Sequence, residues 1–211
     1  KIKMKIIVTT NQINLKNHIK LKNIEKIKSV GELDLFKANS LSLKGEVISF
    51  KANSSEIYLI TGLKWIKKKF KISSIIFLDY VYPVNNNLLG NHIIIPKKIY
   101  SINDPPLEWS NSPLINKIQT KSTINKKLRK VIHETNYDFL YGNILSIDEK
   151  FINTNTIDEL RDLGYFDALN NLIFSINKFA IKNEIDMYNI CIAKTNNMQN
   201  LKFENLLEKL F

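Results

Sequence analysis

The sequence predicts an α/β fold, a three-layer α/β/α sandwich around a mixed central sheet. Three observations carry this. Short β-branched runs alternate with segments of helical apolar spacing along the whole chain. The runs Ile72–Leu78 and His92–Ile95 are almost continuously apolar, the pattern of strands buried on both faces. A chain of 211 residues, 44% of them hydrophobic, can cover both faces of such a sheet within one compact domain, residues 1–211.

In order, Met4–Thr10 reads as a strand. Gln12–Lys28 reads as a helix through Ile13, Leu15, Ile19, Leu21 and Ile24. Asp34–Ala38 and Glu46–Lys51 pair as a hairpin around Gly45. Ser54 and Ser55 cap a helix running to about Phe70, with Ile57, Ile60, Leu63 and Ile66 inward and Lys64, Lys67, Lys68 and Lys69 outward. After the strand Ile72–Leu78 comes a loop, Phe77–Pro83, that contains no glycine. His92–Ile95 is a strand, and Asn103–Thr123, with Pro105, Pro106 and Pro113, is an irregular excursion. Ser122–Thr135 is a basic helix, Phe139–Ser146 a strand, and Asp158–Leu163 a short helix capped by Thr156. Leu169–Lys182 is a helix, Tyr188–Ala193 a buried strand, and Phe203–Phe211 a terminal helix.

The formal charge of +11 comes almost wholly from lysine, since Arg129 and Arg161 are the only arginines. Specific nucleic-acid recognition favours the bidentate guanidinium fork, so the composition argues against it and for a solvated lysine surface. Cys191 is alone, which excludes an internal disulfide and multi-cysteine metal sites, and His18, His92 and His133 lack ligand spacing. No metal or other cofactor is expected. No apolar run approaches the ~20 residues of a bilayer span, and the expected location is cytoplasmic.

Three ordered blocks carry a resemblance. Leu89-Gly90-Asn91-His92-Ile93-Ile94-Ile95-Pro96 with Tyr100 is similar to a V-G-D-I-V-V-P strand with its trailing R-Y-H-D. Ser146-Ile147-Asp148-Glu149-Lys150-Phe151-Ile152 is similar to S-G-D-x-F-I. Ile190-Cys191-Ile192-Ala193-Lys194-Thr195-Asn196 is similar to V-V-R-A-I-S-D. Together they resemble the nucleoside phosphorylase and 5′-methylthioadenosine/S-adenosylhomocysteine nucleosidase superfamily, over almost the whole chain.

That resemblance implies purine N-glycosidic bond cleavage, which passes through a ribosyl cation-like state. A site for it must protonate the base, stabilise the sugar and direct a nucleophile. In the nucleosidases a strand-end carboxylate, an early-loop glutamate and a ribose-gripping glutamate do this. Here the strand-end acid falls on Asn196, or Asn197 one residue on, and the early-loop glutamate falls near Leu15. The ribose glutamate falls on Ile173, Leu172 or Leu169, depending on register. The family's glycine-rich loop corresponds to Phe77–Pro83 and its earlier glycine turn to Ala52-Asn53-Ser54-Ser55-Glu56, so both lack glycine. The resemblance therefore implies a degenerate member that has lost cleavage and acts as a binding or structural subunit. Phe151 matches the aromatic that stacks on the purine, and Ile152 the residue whose backbone reads the base edge. Asp79, Tyr80 and Asn196 join them as ligand-binding candidates. Asp148 is the one acid retained within a family motif, and its plainer reading is a capping carboxylate. If activity persists, Asp148, Asp79 and Glu56 are the substitute acids; a lysine-rich polyanion-binding protein is the competing class. The resemblance also implies a homodimer, or a dimer with a paralogue, with Trp65 and Trp109 available for contact.

Overall fold

A computed structural model describes residues 3–10, 15, 19–40, 43, 45–52, 55–88, 93–102, 116–135, 137–194 and 203–211. Its elements run β1 (Lys3–Thr10), β2 (Leu21–Val30), β3 (Leu33–Ser40), β4 (Gly45–Ala52), α1 (Glu56–Lys69), β5 (Lys71–Pro83), β6 (Ile93–Ser101), β7 (Asn116–Gln119), α2 (Ser122–Glu134) and β8 (Phe139–Ser146). A 3-10 turn (Glu149–Phe151) follows, then α3 (Thr154–Leu163), β9 (Ala168–Asn170), α4 (Ile173–Lys182), β10 (Asp186–Ala193) and α5 (Glu204–Leu210).

The strands form one mixed sheet ordered β10-β6-β8-β9-β5-β1-β4-β3-β2, with β7 beside β6 and a further pairing of β10 with β5. That last pairing closes a ring. β5 runs parallel to β10 from Ser74 to Val81 and then pairs with β9 at Tyr82 and Pro83; β9 leads through β8 and β6 back to β10. The strands β1, β4, β3 and β2 remain as an open arm.

Alternation of side chains along the strands divides the core. Ile6 and Val8 of β1, with Ile75 and Phe77 of β5, face Leu59, Leu63 and Ile66 of α1 and Ile173 and Ile176 of α4. Ile7, Ile76 and Leu78 face the other way, toward Leu128 and Val131 of α2 and Leu206 and Leu207 of α5. Two helical layers thus sandwich the sheet, as the pattern predicts. A third cluster, around Tyr100, Leu145, Leu160, Phe166 and Leu169, fills the end where α3 packs.

Several elements differ from expectation. Phe77–Pro83 is not a loop but the second half of a 13-residue strand. A strand needs no glycine, and β5 has an unbroken ladder to follow because β10 pairs with it as far as Val81. Leu21–Lys28, the second half of the expected helix Gln12–Lys28, lies instead in the edge strand β2, antiparallel to β3 with two register shifts. The cause is the two-residue turn Gly31-Glu32: Gly31 has φ +59, and a Cβ there would lie 2.5 Å from the Tyr58 ring. The preceding part of that predicted helix lies mostly outside the described residues. In α1 the inward set is Leu59, Gly62, Leu63 and Ile66, while Ile57 is 75% exposed. The excursion after residue 103 contains β7. Helix α3 starts earlier than predicted, capped by Asn153, whose side chain accepts from the Thr156 N–H. The segment opening at Leu169 is first the strand β9, and helix α4 begins only at Ile173.

Candidate functional site

Strands β1, β4, β5 and β10 are parallel, so their C-terminal ends gather on one side of the sheet. That side of an open α/β sheet is where ligands bind. Two groups of described side chains mark it.

The first centres on Asp79, which is 1% exposed within β5. Thr10 Oγ1, at the end of β1, donates to Asp79 Oδ1 at 2.5 Å, and Asn170 Nδ2, at the end of β9, donates to Asp79 Oδ2 at 3.2 Å. Backbone bonds from Tyr80 and Thr10 add to these. Burial outweighs all four and pushes the Asp79 carboxyl up from its usual 3.8 to about 6. The neighbouring Cys191 thiol, opposite Asp79 on β10, is pushed up by burial and by that carboxylate. Tyr80, half-buried, is raised by burial first and by Asp79 second.

Asn170 joins this group to the next. Its Oδ1 accepts from the Leu172 and Ile173 N–H groups, both at 2.9 Å, and so caps α4. Its Nδ2 also donates to Tyr80 O, and its backbone carbonyl accepts from Ile147 N. Sequence reasoning missed Asn170 because it placed Leu169 inside a helix. The signal was present: an Asn-Asn pair immediately before an apolar helical run marks an N-terminus.

The second group is aromatic. Phe151 and Ile152 pack, together with Tyr82 of β5, against the cluster of Tyr100, Leu145, Phe166 and Leu169. Lys150 Nζ lies 4.7 Å from the Phe151 ring centroid, and Lys194 Nζ lies 5.0 Å from that of Tyr82. Asp148 caps the 3-10 turn by accepting from Lys150 N and pairs with Lys150 Nζ at 3.5 Å on the surface. Glu56 stands in the exposed first turn of α1. Leu169, Leu172 and Ile173, the three registers of the ribose position, are fully buried apolar core, and Leu15 is buried. Asn196, Asn197, Asn53, Ser54, His18, His92, Trp109 and the start of the first family block lie outside the described residues. Among the described residues no three His, Cys, Asp or Glu side chains gather as metal ligands. No helix there is long and apolar enough to cross a membrane.

Comparison with solved structures aligns nearly the whole chain. The 5′-methylthioadenosine/S-adenosylhomocysteine nucleosidase of Neisseria meningitidis, complexed with methylthio-immucillin-A, superposes with a TM-score of 0.73 at 10% identity, covering 99% of this chain and 98% of that one. A putative nucleosidase of the same kind from Borrelia burgdorferi, bound to adenine, gives 0.72 at 21% identity, covering 98% and 96%. The futalosine hydrolase of Helicobacter pylori gives 0.74 at 15% identity, covering 99% and 92%. This chain has the nucleoside phosphorylase fold. No protein-family model and no curated protein matches its sequence. Within the nucleoside phosphorylase fold, the described parts of the three blocks that carry the sequence resemblance fall on β6, on the exit of β8 with its 3-10 turn, and on the end of β10. The two side-chain groups thus occupy the strand ends of a fold shared with nucleoside-cleaving enzymes.

Proposed function

We propose that this chain is a nucleosidase-fold protein that has lost purine N-glycosidic bond cleavage and serves as a binding or structural subunit. One observation carries the reading. The three segments to which the resemblance assigns catalytic acids contain no Asp or Glu in any register: residues 1–24, 168–183 and 187–203 have none. Amides and hydroxyls there can hydrogen-bond a sugar or a base but cannot exchange a proton near neutral pH. Under this reading the buried carboxylate on β5 is structural, each Asp79 oxygen accepting from one neighbour, Thr10 or Asn170. Losing all three acids removes most of the barrier reduction that such a site supplies.

The test is release of free base from methylthioadenosine, adenosylhomocysteine, futalosine and inosine between pH 5 and 8. No release is expected, and turnover above about 0.1 per second would overturn the proposal, ordinary enzymes running at about 1–1000 per second. Asn196→Asp alone should create no hydrolysis, because the other two acids would still be missing.

A second reading, an active nucleosidase with a relocated acid, draws on Asp79. A carboxyl titrating at about 6 is suited to general acid-base work. Under that reading Asp79→Asn abolishes a measurable turnover. As a structural subunit the protein would pair with itself or with an active paralogue, and a monomeric mass at micromolar concentration would remove the self-pairing.

A further inference from the structure

We infer that the basic pocket where α1 runs into β5 is a binding site for oligophosphate anions, separate from the nucleoside end of the fold. The cavity, about 340 Å³, is lined by Lys67, Lys68, Lys69 and Lys71, with Phe70 and Ile72 among its apolar walls and Asn183 at its rim. Ile72 is the second residue of β5 and Asp79 lies seven residues further along it, so the two sites are about 23 Å apart at the usual strand rise.

The lysines exceed any structural need. Five of them, Lys64, Lys67, Lys68, Lys69 and Lys71, fall within eight positions. The carboxyl end of α1 offers a partial charge of only about −0.5 for them to neutralise. Among the described residues none of the five has a carboxylate partner. Of the two acids within three positions of Asn183 in the chain, Asp186 is taken by Lys121 at 3.1 Å, and Glu184 is the other. Lys64 and Lys68, one helical turn apart, repel each other. A cluster that repels itself, has no carboxylate partner among the described residues and has four of its lysines lining a concavity is completed by a multivalent anion.

Its geometry favours phosphate over carboxylate or base recognition. Lysine ammonium groups are point charges that neutralise phosphates without the planar fork that reads bases. Asn183 Oδ1 accepts from Lys67 Nζ, and Asn183 Nδ2 is itself tied to the Phe179 carbonyl, which holds Lys67 at the pocket rim. The same chemistry could be presented by a free polyphosphate or by the backbone of a nucleic-acid strand.

Titration of the full chain with inorganic tripolyphosphate and with a labelled ten-residue oligothymidylate, at several salt concentrations, tests the site. Dissociation constants below about 100 μM at low salt are expected for at least one probe. If the strand is the better ligand, four lysine contacts give a slope of about −3 for log K against log salt. If tripolyphosphate is the better ligand, a free oligophosphate is the source. The variant Lys67→Gln/Lys68→Gln/Lys69→Gln should weaken binding at least tenfold. The control Lys126→Gln/Arg129→Gln/Lys130→Gln, which removes the same charge from the exposed face of α2, should change it less than twofold. All six side chains are exposed, so both variants keep the core intact, and their melting curves verify this. Equal losses in the two variants would show a response to net charge alone and overturn the proposal, as would binding of neither probe.

Discussion

At the scale of single residues, Asp79 links the chemistry of the site to the stability of the fold. Its carboxyl titrates at about 6 in the folded chain and near 3.8 when unfolded. The folded state therefore holds the proton more tightly. Stability from this group is fully present below pH 3.8 and is lost as pH rises through about 6, a difference on the order of 3 kcal/mol. Urea unfolding at pH 4 and pH 7.5 should show Asp79→Asn losing less stability over that interval than the parent, by roughly that amount. An equal loss would mean that the carboxylate is better solvated than its burial implies. Asn170→Ala removes both the α4 cap and a donor to Asp79, and should cost about 2–4 kcal/mol in the same measurement. The sequence showed Asp79 as a polar residue in an apolar run, yet its partners come from residues 69 and 91 positions away, and no local pattern encodes such a meeting.

Among the elements, those with strong internal periodicity were legible and those defined by their neighbours were not. Phe139–Ser146 was read with its observed bounds because its apolar and aromatic residues form a short run bounded by polar ones, Asp138 before it and Asp148 after it. β9 was not, since three residues form a strand only because β5 and β8 flank them. β5 reads locally as a strand followed by a loop, and only pairing with β10 as far as Val81, then with β9 at Tyr82 and Pro83, extends it to its observed end. The contact between β8 and Asp167, the residue just before β9, is especially close. A Cβ at Gly142 would lie 2.9 Å from Asp167 Oδ2. Asp167 cannot readily yield, because Oδ2 accepts from Asn143 N at 2.8 Å and Oδ1 from Asn85 Nδ2 at 3.1 Å. Gly142→Ala should therefore destabilise by about 1–3 kcal/mol, lowering the melting temperature by roughly 3–9 °C. An unchanged melting temperature would show that Asp167 has another position open to it.

Across the whole molecule, the sheet is divided between a closed ring and an open arm, and this division should govern how the protein opens. In the ring, β5 pairs with β10 along eight residues while also following β1, and its residues 74–79 are all buried. Amides there are released only when the ring and both helical layers come apart. The arm ends in β2, which is mostly exposed, has partners on one edge only, and is interrupted by two register shifts. Its lysines guard the free edge against pairing with another chain, but they bury little apolar surface to hold the strand down. Hydrogen exchange under native conditions should thus find β2 opening first, at a free energy several kcal/mol below that of global unfolding, with β5 and β10 exchanging only near the global value. The test is peptide-resolved exchange in low urea, where β2 protection should stay nearly flat while β5 protection falls with denaturant. Equal protection in the two strands would mean that the arm and the ring unfold as one cooperative unit, with the β2–β3 hairpin held by more than its own ladder.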